Sequence, residues 1–197
     1  TVTPRAGEAV PAAWLTGEPG MGKSRLALEA ATRLGLHLWV QALAGDADQP
    51  YATLVRALRG RLGPAVALPA WVRQELARLL PEGASDRATP APTGSADARR
   101  LHDAVAEAWR ALRPAGLQAV VLDDWHLADA ATQALWPPGV PMSATLGAAH
   151  VIVTLRAAEL PPPLHEALQR ARHAGTCRVI ELPPLDTLEA TTLVQAL

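Results

Sequence analysis

The feature that most constrains this chain is the run G-x-x-x-x-G-K-S at positions 17–24. An apolar run at 12–16 precedes it, and residues 25–31 after it have the composition of a helix. Three glycines let the backbone curl with its N–H groups pointing inward, and a helix N-terminus adds a positive dipole end. The run therefore predicts a phosphate-binding loop between a strand and a helix, and a chance glycine turn is disfavoured because the motif is complete.

Lys23 is the only lysine of the chain, in which the other non-histidine cations are all arginines. Its compact ammonium fits between phosphates where a planar guanidinium does not. We therefore expect Lys23 to bind the β- and γ-phosphates of a nucleotide. The hydroxyl of Ser24 is expected to take one position on Mg²⁺, which prefers oxygen ligands and keeps several waters.

The rest of the chain alternates apolar runs with amphipathic stretches. The apolar runs predict five strands, at 12–16, 36–42, 117–122, 150–155 and 177–182. Apolar residues at helical spacing predict helices at about 51–62, 71–80, 97–113, 128–136 and 164–173, with a surface loop at 81–96 and a break at Pro137-Pro138. The buried stripe expected for the helix at 71–80 consists of Trp71, Val72, Leu76, Leu79 and Leu80. Continuous apolar strands that alternate with helices favour an α/β fold, a parallel sheet covered on both faces.

Composition narrows the class of protein. The 197 residues are 49% hydrophobic and 19% charged, which is typical of a globular chain. A net charge of -1 gives no support for binding nucleic acid through its phosphates. The single cysteine, Cys177, excludes an internal disulfide framework, and a small buried residue is the favoured interpretation of it. The sequence shows no apolar run long enough to span a membrane and no basic N-terminus followed by the apolar core of a signal peptide. We therefore expect a cytoplasmic protein without a membrane partner.

The third predicted strand runs directly into two acidic residues, Asp123 and Asp124. This is the form of a Walker B element, in which the first carboxylate holds Mg²⁺ and the second polarises an attacking water. Two acids after a strand can also merely begin a turn, but a complete phosphate loop after another strand of the same predicted sheet disfavours that alternative. The carboxyl ends of parallel strands meet at one crevice, so both motifs can serve one site.

The fourth predicted strand ends in Thr154-Leu155-Arg156. A polar residue and an arginine that leave this strand end would point at the same crevice. Arg156 could contact the γ-phosphate there, or it could be a solvated or salt-bridged side chain, and both interpretations stay open.

Four segments together resemble the ATPase core of the STAND class, signal-transduction ATPases of the AAA+-related branch. They are GEPGMGKSRL at 17–26, VVLDDWHLAD at 120–129, VIVTLRAAEL at 151–160 and ELPPL at 181–185. Within this class, the chain most resembles the large ATP-binding LuxR-type and maltose-activator-type bacterial regulators. The resemblance implies a three-layer P-loop NTPase (ASCE/AAA+-like) with a five-stranded parallel sheet in the order 5-1-4-3-2 and helices on both faces. It divides the chain into a leader at 1–11, an ATPase core at 12–185 and the start of a truncated helical lid at 186–197.

The resemblance also implies site residues. Lys23, Asp124 and Arg156 take the catalytic roles, with Arg156 as the sensor on strand four, and Ser24 and Asp123 hold the metal. The positions that bind the nucleotide are Gly17, Glu18, Pro19, Gly20, Met21, Gly22, Lys23, Ser24, Arg25 and, near the base, Pro184.

The implied function is that of a regulatory switch. ATP or ADP with Mg²⁺ sets a closed or open state, the ATP form can self-assemble, and DNA is reached only through a separate effector domain of the same longer chain. The order Trp125-His126-Leu127 departs from the usual His-then-Trp, so His126 is expected to be packed or solvent-facing rather than catalytic. No glycine-arginine-glutamate element precedes the first strand, and little of the lid is present. We therefore expect weak nucleotide binding and slow hydrolysis.

Two other classes of function stay open from the sequence. The first is a P-loop enzyme, either a motor-type ATPase or a kinase for a small molecule, although no acceptor pocket or arginine-bearing lid is evident. The second is a degenerate scaffold that keeps the fold without using nucleotide. Intact Lys23, Ser24 and Asp123 argue against the scaffold.

Overall fold

A computed structural model describes residues 12–59, 61–62, 66–80, 95–112, 116–135, 150–185, 187, 189 and 191. It contains five strands, β1 Ala12–Thr16, β2 His37–Gln41, β3 Ala119–Asp123, β4 His150–Leu155 and β5 Cys177–Glu181. These are the five apolar runs, with bounds within two residues of the prediction. The predicted leader, most of the loop at 81–96, the Pro137-Pro138 break and most of the lid segment lie outside the described residues.

Helices connect the strands. They are α1 Lys23–Leu34, α2 Ala52–Leu58, α3 Ala70–Leu76, α4 Ser95–Leu112, α5 Ala130–Gln133 and α6 Pro162–His173, with single 3₁₀ turns at Asp46–Asp48, Trp125–Leu127 and Ala157–Glu159. α4 begins two residues before its predicted start. α2, α3 and α5 are shorter than predicted. No helix among these residues is both long and apolar enough to cross a bilayer.

All strand pairs are parallel, and the order across the sheet is β2-β3-β4-β1-β5. The order is the predicted 5-1-4-3-2 read from the other edge, so the P-loop NTPase fold is confirmed. β1 lies beside β4, with Leu15 opposite Thr154, and β4 lies beside β3, with Leu122 opposite Val153. The ends of β1, β3 and β4 therefore meet at the centre of one edge of the sheet.

The two faces of the sheet are covered differently. Ala27 and Ala31 of α1 pack against one face, on Leu15, Val121 and Ile152. Their small side chains let the helix lie close to the strands. On the other face a larger cluster joins the sheet to α2, α3, α4 and α6, and it includes Trp14, Val120, Val153, Leu101, Trp109 and Leu168. The helices on both faces confirm the three-layer arrangement.

One predicted core position is wrong. Trp71 was placed on a buried stripe with Val72 and Leu76, but its side chain is exposed. The buried residues of α3 are Val72, Glu75 and Leu76, at i, i+3 and i+4. Trp71 lies one residue, or about 100°, away from that stripe in an α-helix. Cys177 is buried as expected, and burial raises the pKa of its thiol, which disfavours a nucleophilic role.

Candidate nucleotide-binding site

The loop between β1 and α1 needs glycine at two places for different reasons. Gly22, the residue before α1, has φ +76°, a left-handed conformation that a side chain disfavours. Gly17 has φ +152°, and a Cβ there would lie 2.9 Å from the carbonyl oxygen of Leu182. The N–H of Leu182 in turn donates to the carbonyl of Thr16 at 2.8 Å. The chain after β5 thus lies directly against the start of the loop.

Lys23 holds the loop in its curled form. Its Nζ donates to the carbonyl oxygens of Gly17 at 2.9 Å and Glu18 at 2.8 Å, and the residue is buried. An ammonium has three N–H donors, so two are used by the loop itself. Lys23 therefore stabilises the predicted phosphate-binding loop, and its contact with phosphates stays a prediction.

The two predicted metal ligands are in direct contact. The Oγ of Ser24, in the first turn of α1, donates to Oδ1 of Asp123 at the end of β3, over 2.7 Å. Asp123 is buried, with 2% of its surface exposed. The structure thus brings the phosphate loop and the acidic strand end to one point.

Thr154 completes this contact from β4. Its Oγ1 donates to the same Oδ1 of Asp123 at 2.7 Å and accepts the backbone N–H of Asp124 at 2.8 Å. Thr154 is fully buried. The sequence marked it only as a polar residue at a strand end, whereas one hydroxyl here orients both acidic residues.

Asp124 occupies an unusual backbone conformation, with φ +50° and ψ +41°. Asp adopts this left-handed region more readily than most residues. The turn takes the chain out of β3, and Asp124 is half-buried beside buried Asp123. Two consecutive carboxylates thus have different surroundings, which fits different roles.

The oxygen atoms at this point suit a hard divalent cation. Both hydrogen bonds to Asp123 end on Oδ1, and among the described residues Oδ2 accepts none. A serine hydroxyl and a carboxylate are ligands that Mg²⁺ uses together with water and phosphate oxygens. The described residues contain no cluster of three or more His, Cys, Asp or Glu side chains that could hold a metal. Ser24 and Asp123 fit a Mg²⁺ ion that a bound nucleotide also coordinates, and this role stays a prediction.

Arg156 leaves β4 beside this crevice and forms an ion pair. Its Nη1 lies 2.9 Å from Oε1 of Glu159, one turn further along the chain. A third of the Arg156 side chain is exposed. The hydrogen bond that Nη1 donates to the Glu159 carboxylate raises the pKa of the guanidinium. The salt-bridged alternative is the state seen here, and contact with a γ-phosphate stays a prediction.

His126 is packed, as expected, and lies close to the same pair. Its side chain is 1% exposed, and Nε2 lies 3.5 Å from Oε2 of Glu159. That distance exceeds the usual 2.7–3.2 Å of an N–H···O hydrogen bond. Neither ring nitrogen has a hydrogen-bond partner among the described residues. Burial lowers the pKa of the imidazole, although Asp124 and Glu159 act against the shift.

Asp129 is a structural residue that the sequence did not single out. Its carboxylate accepts the backbone N–H groups of Tyr51 at 2.7 Å, Thr53 at 3.3 Å and Thr132 at 2.8 Å. Thr132 also donates its hydroxyl at 2.7 Å. Asp129 caps α5 and ties the segment after β3 to the start of α2. The available signal was an Asp directly before a helical stretch, because Asp is a preferred N-cap residue.

The remaining predicted nucleotide-binding positions line the outside of the loop. Glu18, Pro19, Gly20 and Arg25 are exposed, and Met21 is half-buried. Pro184 is exposed and lies two residues after Leu182, which contacts the start of the loop. Their roles in binding stay predictions.

Comparison with known proteins agrees with this geometry. The family model described as AAA ATPase domain matches residues 3–153. The match includes the loop at 17–24 and both acidic residues, and it ends just before Thr154. No curated protein matches the chain.

Proposed function

Because the chain belongs to the AAA ATPase domain family, which implies nucleotide binding, we propose that it is the ATP-binding and slowly hydrolysing core of a bacterial regulator. This regulator is a multidomain protein of signal transduction and transcription, as in the STAND class. Nucleotide state switches its conformation and assembly. Its partners are an adenine nucleotide and other domains of a longer chain, DNA is bound only by a separate effector domain, and it acts in the cytoplasm.

One contact carries the proposal of an active nucleotide site. Ser24 Oγ and Asp123 Oδ1 are 2.7 Å apart although 99 positions separate them in the chain. Thr154 supports the same oxygen from a third element. A degenerate scaffold has no need to keep a buried carboxylate beside a loop serine, because burying a charge is costly unless it is hydrogen-bonded.

The loop binds phosphate through its backbone and through Lys23. The backbone N–H groups at the α1 N-terminus donate hydrogen bonds to phosphate oxygens, and the dipole of α1 favours their negative charge. Lys23 exchanges the carbonyls of Gly17 and Glu18 for phosphate oxygens, a stronger charge-assisted pairing. Bound Mg²⁺, held by Ser24 and Asp123, would supply charge neutralisation at the phosphates.

We propose that Asp124 acts as the base in hydrolysis. Its carboxylate accepts a proton from water as the water oxygen forms a bond to the γ-phosphorus. The bond from the γ-phosphorus to the β–γ bridging oxygen breaks, and ADP and inorganic phosphate leave. Lys23 and Arg156 stabilise the negative charge on the oxygens during transfer.

A calorimetric titration with Mg-ATP and with ADP tests the proposal. Lys23→Ala is expected to weaken binding of both nucleotides by roughly 100-fold, the loss of about two charge-assisted hydrogen bonds. The matched control is Arg33→Ala, which removes a cation from the far end of the same helix, where the side chain is 79% exposed. It should leave both affinities unchanged.

Two results would refute the proposed site. Equal binding by wild type and Lys23→Ala would place the nucleotide elsewhere, and no binding by the wild type would favour the scaffold.

A kinase would be recognised by ADP production that depends on an added phosphoacceptor. Sedimentation with Mg-ATP against ADP tests assembly, with a larger species expected only with ATP.

A further inference from the structure

The most unusual side chain near the site is His126. It is two residues after Asp124, its side chain is 1% exposed, and both ring nitrogens lack a hydrogen-bond partner among the described residues. Buried polar side chains are nearly always hydrogen-bonded, and an exception calls for a physical explanation. The imidazole lies where a hydrogen bond could form but has not formed.

Glu159 is the group within reach. Its Oε1 pairs with Nη1 of Arg156 at 2.9 Å, while its Oε2 lies 3.5 Å from Nε2 of His126. The Glu159 side chain is 46% exposed. One carboxylate therefore lies between two nitrogen donors, and it is fully bonded to only one of them.

We propose that Glu159 and His126 are positioning residues that let the site distinguish ATP from ADP. This inference rests on the proposed function, in which Arg156 contacts the γ-phosphate. Without a γ-phosphate, Glu159 pairs with Arg156. When Arg156 moves to the γ-phosphate, Glu159 turns to His126 and accepts a hydrogen bond from Nε2–H.

The exchange of partners is reasonable from the charges involved. A γ-phosphate carries more negative charge than a single carboxylate. The Arg156 guanidinium therefore forms a stronger ion pair when it moves from Glu159 to the γ-phosphate. Glu159 would be left without its cation, but the His126 donor needs only a shift of a few tenths of an ångström to reach hydrogen-bond length. The complex with ATP thereby contains a His126–Glu159 hydrogen bond that the complex with ADP lacks. This is the differential interaction that a two-state switch requires.

No change in the charge of His126 is needed. A neutral imidazole with its proton on Nε2 donates as well as accepts. Four charged groups act on the pKa of the ring. Asp124 and Glu159 raise it, and Arg156 and Lys23 lower it. Burial lowers the imidazole pKa, in agreement with a neutral ring.

Two substitutions of His126 separate this role from simple packing. The amide nitrogen of His126→Gln can occupy the place of Nε2, whereas that of His126→Asn lies nearer the place of Nδ1. His126→Asn is expected to lower the affinity for Mg-ATP roughly fivefold relative to Mg-ADP, the effect of one hydrogen bond, and His126→Gln should restore most of it. Both affinities are measured by calorimetry.

A double-mutant cycle identifies the partner. In a Glu159→Ala background the change from His126 to Asn should leave the ratio of ATP to ADP affinity unaltered, because the acceptor is gone. If His126→Asn lowers both affinities equally, or lowers the ratio equally in the Glu159→Ala background, His126 is only a packing residue and the inference is wrong. Lys23→Ala binding as well as wild type would instead refute the proposed function itself.

A measurement on the wild type covers the case in which His126→Asn fails to fold. Nitrogen-15 NMR of the His126 ring follows the Nε2–H signal directly. A non-hydrolysable ATP analogue should move this signal to lower field, as hydrogen bonding does, and ADP should not. Identical ring spectra in the two complexes would overturn the proposal.

Discussion

Two sides of the crevice differ in how firmly their side chains are held. On the phosphate side, defined as Lys23, Ser24, Asp123 and Thr154, the hydrogen bonds are 2.7–2.9 Å long and three of the four residues are buried. On the sensor side, defined as His126, Arg156 and Glu159, the one close contact joins two partly exposed side chains. The buried ring beside that pair has no hydrogen bond among the described residues.

On the phosphate side the side chains are already held close together. Only Lys23 has to exchange its carbonyl partners for phosphate oxygens, so we expect this side to bind ATP and ADP alike. On the sensor side we propose an exchange of partners that responds only to what reaches Arg156. We therefore expect affinity and discrimination to reside in neighbouring but separate groups of residues.

The largest expected effect lies between the two sides, at Asp124. Asp124→Asn keeps a side chain that tolerates φ +50° and removes the proton acceptor. Release of phosphate from Mg-ATP should fall by roughly 100-fold or more, the usual contribution of a general base. The affinity for Mg-ATP should stay within about twofold of wild type, because the N–H bond to Thr154 is retained.

The measurements for Asp124→Asn are a single-turnover phosphate assay and the nucleotide titration. Asp129→Asn is not a suitable control, because Asp129 holds three backbone N–H groups. Asp103→Asn, an exposed position of α4, is the matched one. Unchanged phosphate release in Asp124→Asn would remove Asp124 from the chemistry.

The next effect tests whether the phosphate side is a connected unit. Thr154→Val keeps the shape and removes the hydroxyl, so Asp123 loses a donor and the Asp124 N–H loses its acceptor in a buried place. The free energy of unfolding should decrease by about 1–3 kcal/mol, and the melting temperature should fall by roughly 2–4 °C for each kcal/mol. Thermal unfolding followed by circular dichroism measures both.

The control for Thr154 is Thr176→Val at the other end of the sheet. The Thr176 hydroxyl donates to a single carbonyl, that of Ala171, at 3.2 Å. Its removal should cost less than removal of the Thr154 hydroxyl and should leave nucleotide affinity unchanged. An equal loss of stability in the two variants would mean that the shared Asp123 contact adds nothing.

The smallest effect concerns the pH dependence of the sensor side. The pKa of His126 is lowered by burial from its ordinary 6.5, so the unfolded chain binds this proton at a higher pH than the folded one. The His126 contribution to stability is present above pH 6.5 and is lost as the pH falls through the lowered folded pKa. The melting temperature of the wild type should therefore decrease on acidification. The melting temperature of His126→Gln should decrease less. Parallel decreases in the two proteins would contradict this assignment.

The sequence could predict the part of the site that depends on local motifs. Gly22, Lys23 and Ser24 are adjacent in the chain, and Asp123 follows an apolar strand, so each was evident from its neighbours. The five strands were evident for the same reason. The order of the strands came only from the resemblance, because apolar runs do not reveal which strands are adjacent.

Contacts that exist only after folding were not predictable in this way. His126 and Glu159 belong to different strand ends and meet because β3 and β4 are neighbours. The double role of Thr154 likewise depends on the depth at which β4 ends relative to β3. Trp71 was misplaced because a helix as short as α3 shows too few turns to define its buried stripe.

We propose that the phosphate side binds the nucleotide and that the sensor side discriminates ATP from ADP. The most direct measurement is the ratio of Mg-ADP to Mg-ATP dissociation constants in wild type, Lys23→Ala and Arg156→Ala, at one salt concentration. Lys23→Ala should weaken both nucleotides, whereas Arg156→Ala should weaken ATP by roughly tenfold and leave ADP unchanged. If Arg156→Ala weakens both nucleotides equally, or neither, discrimination does not reside on the sensor side and the claim is wrong.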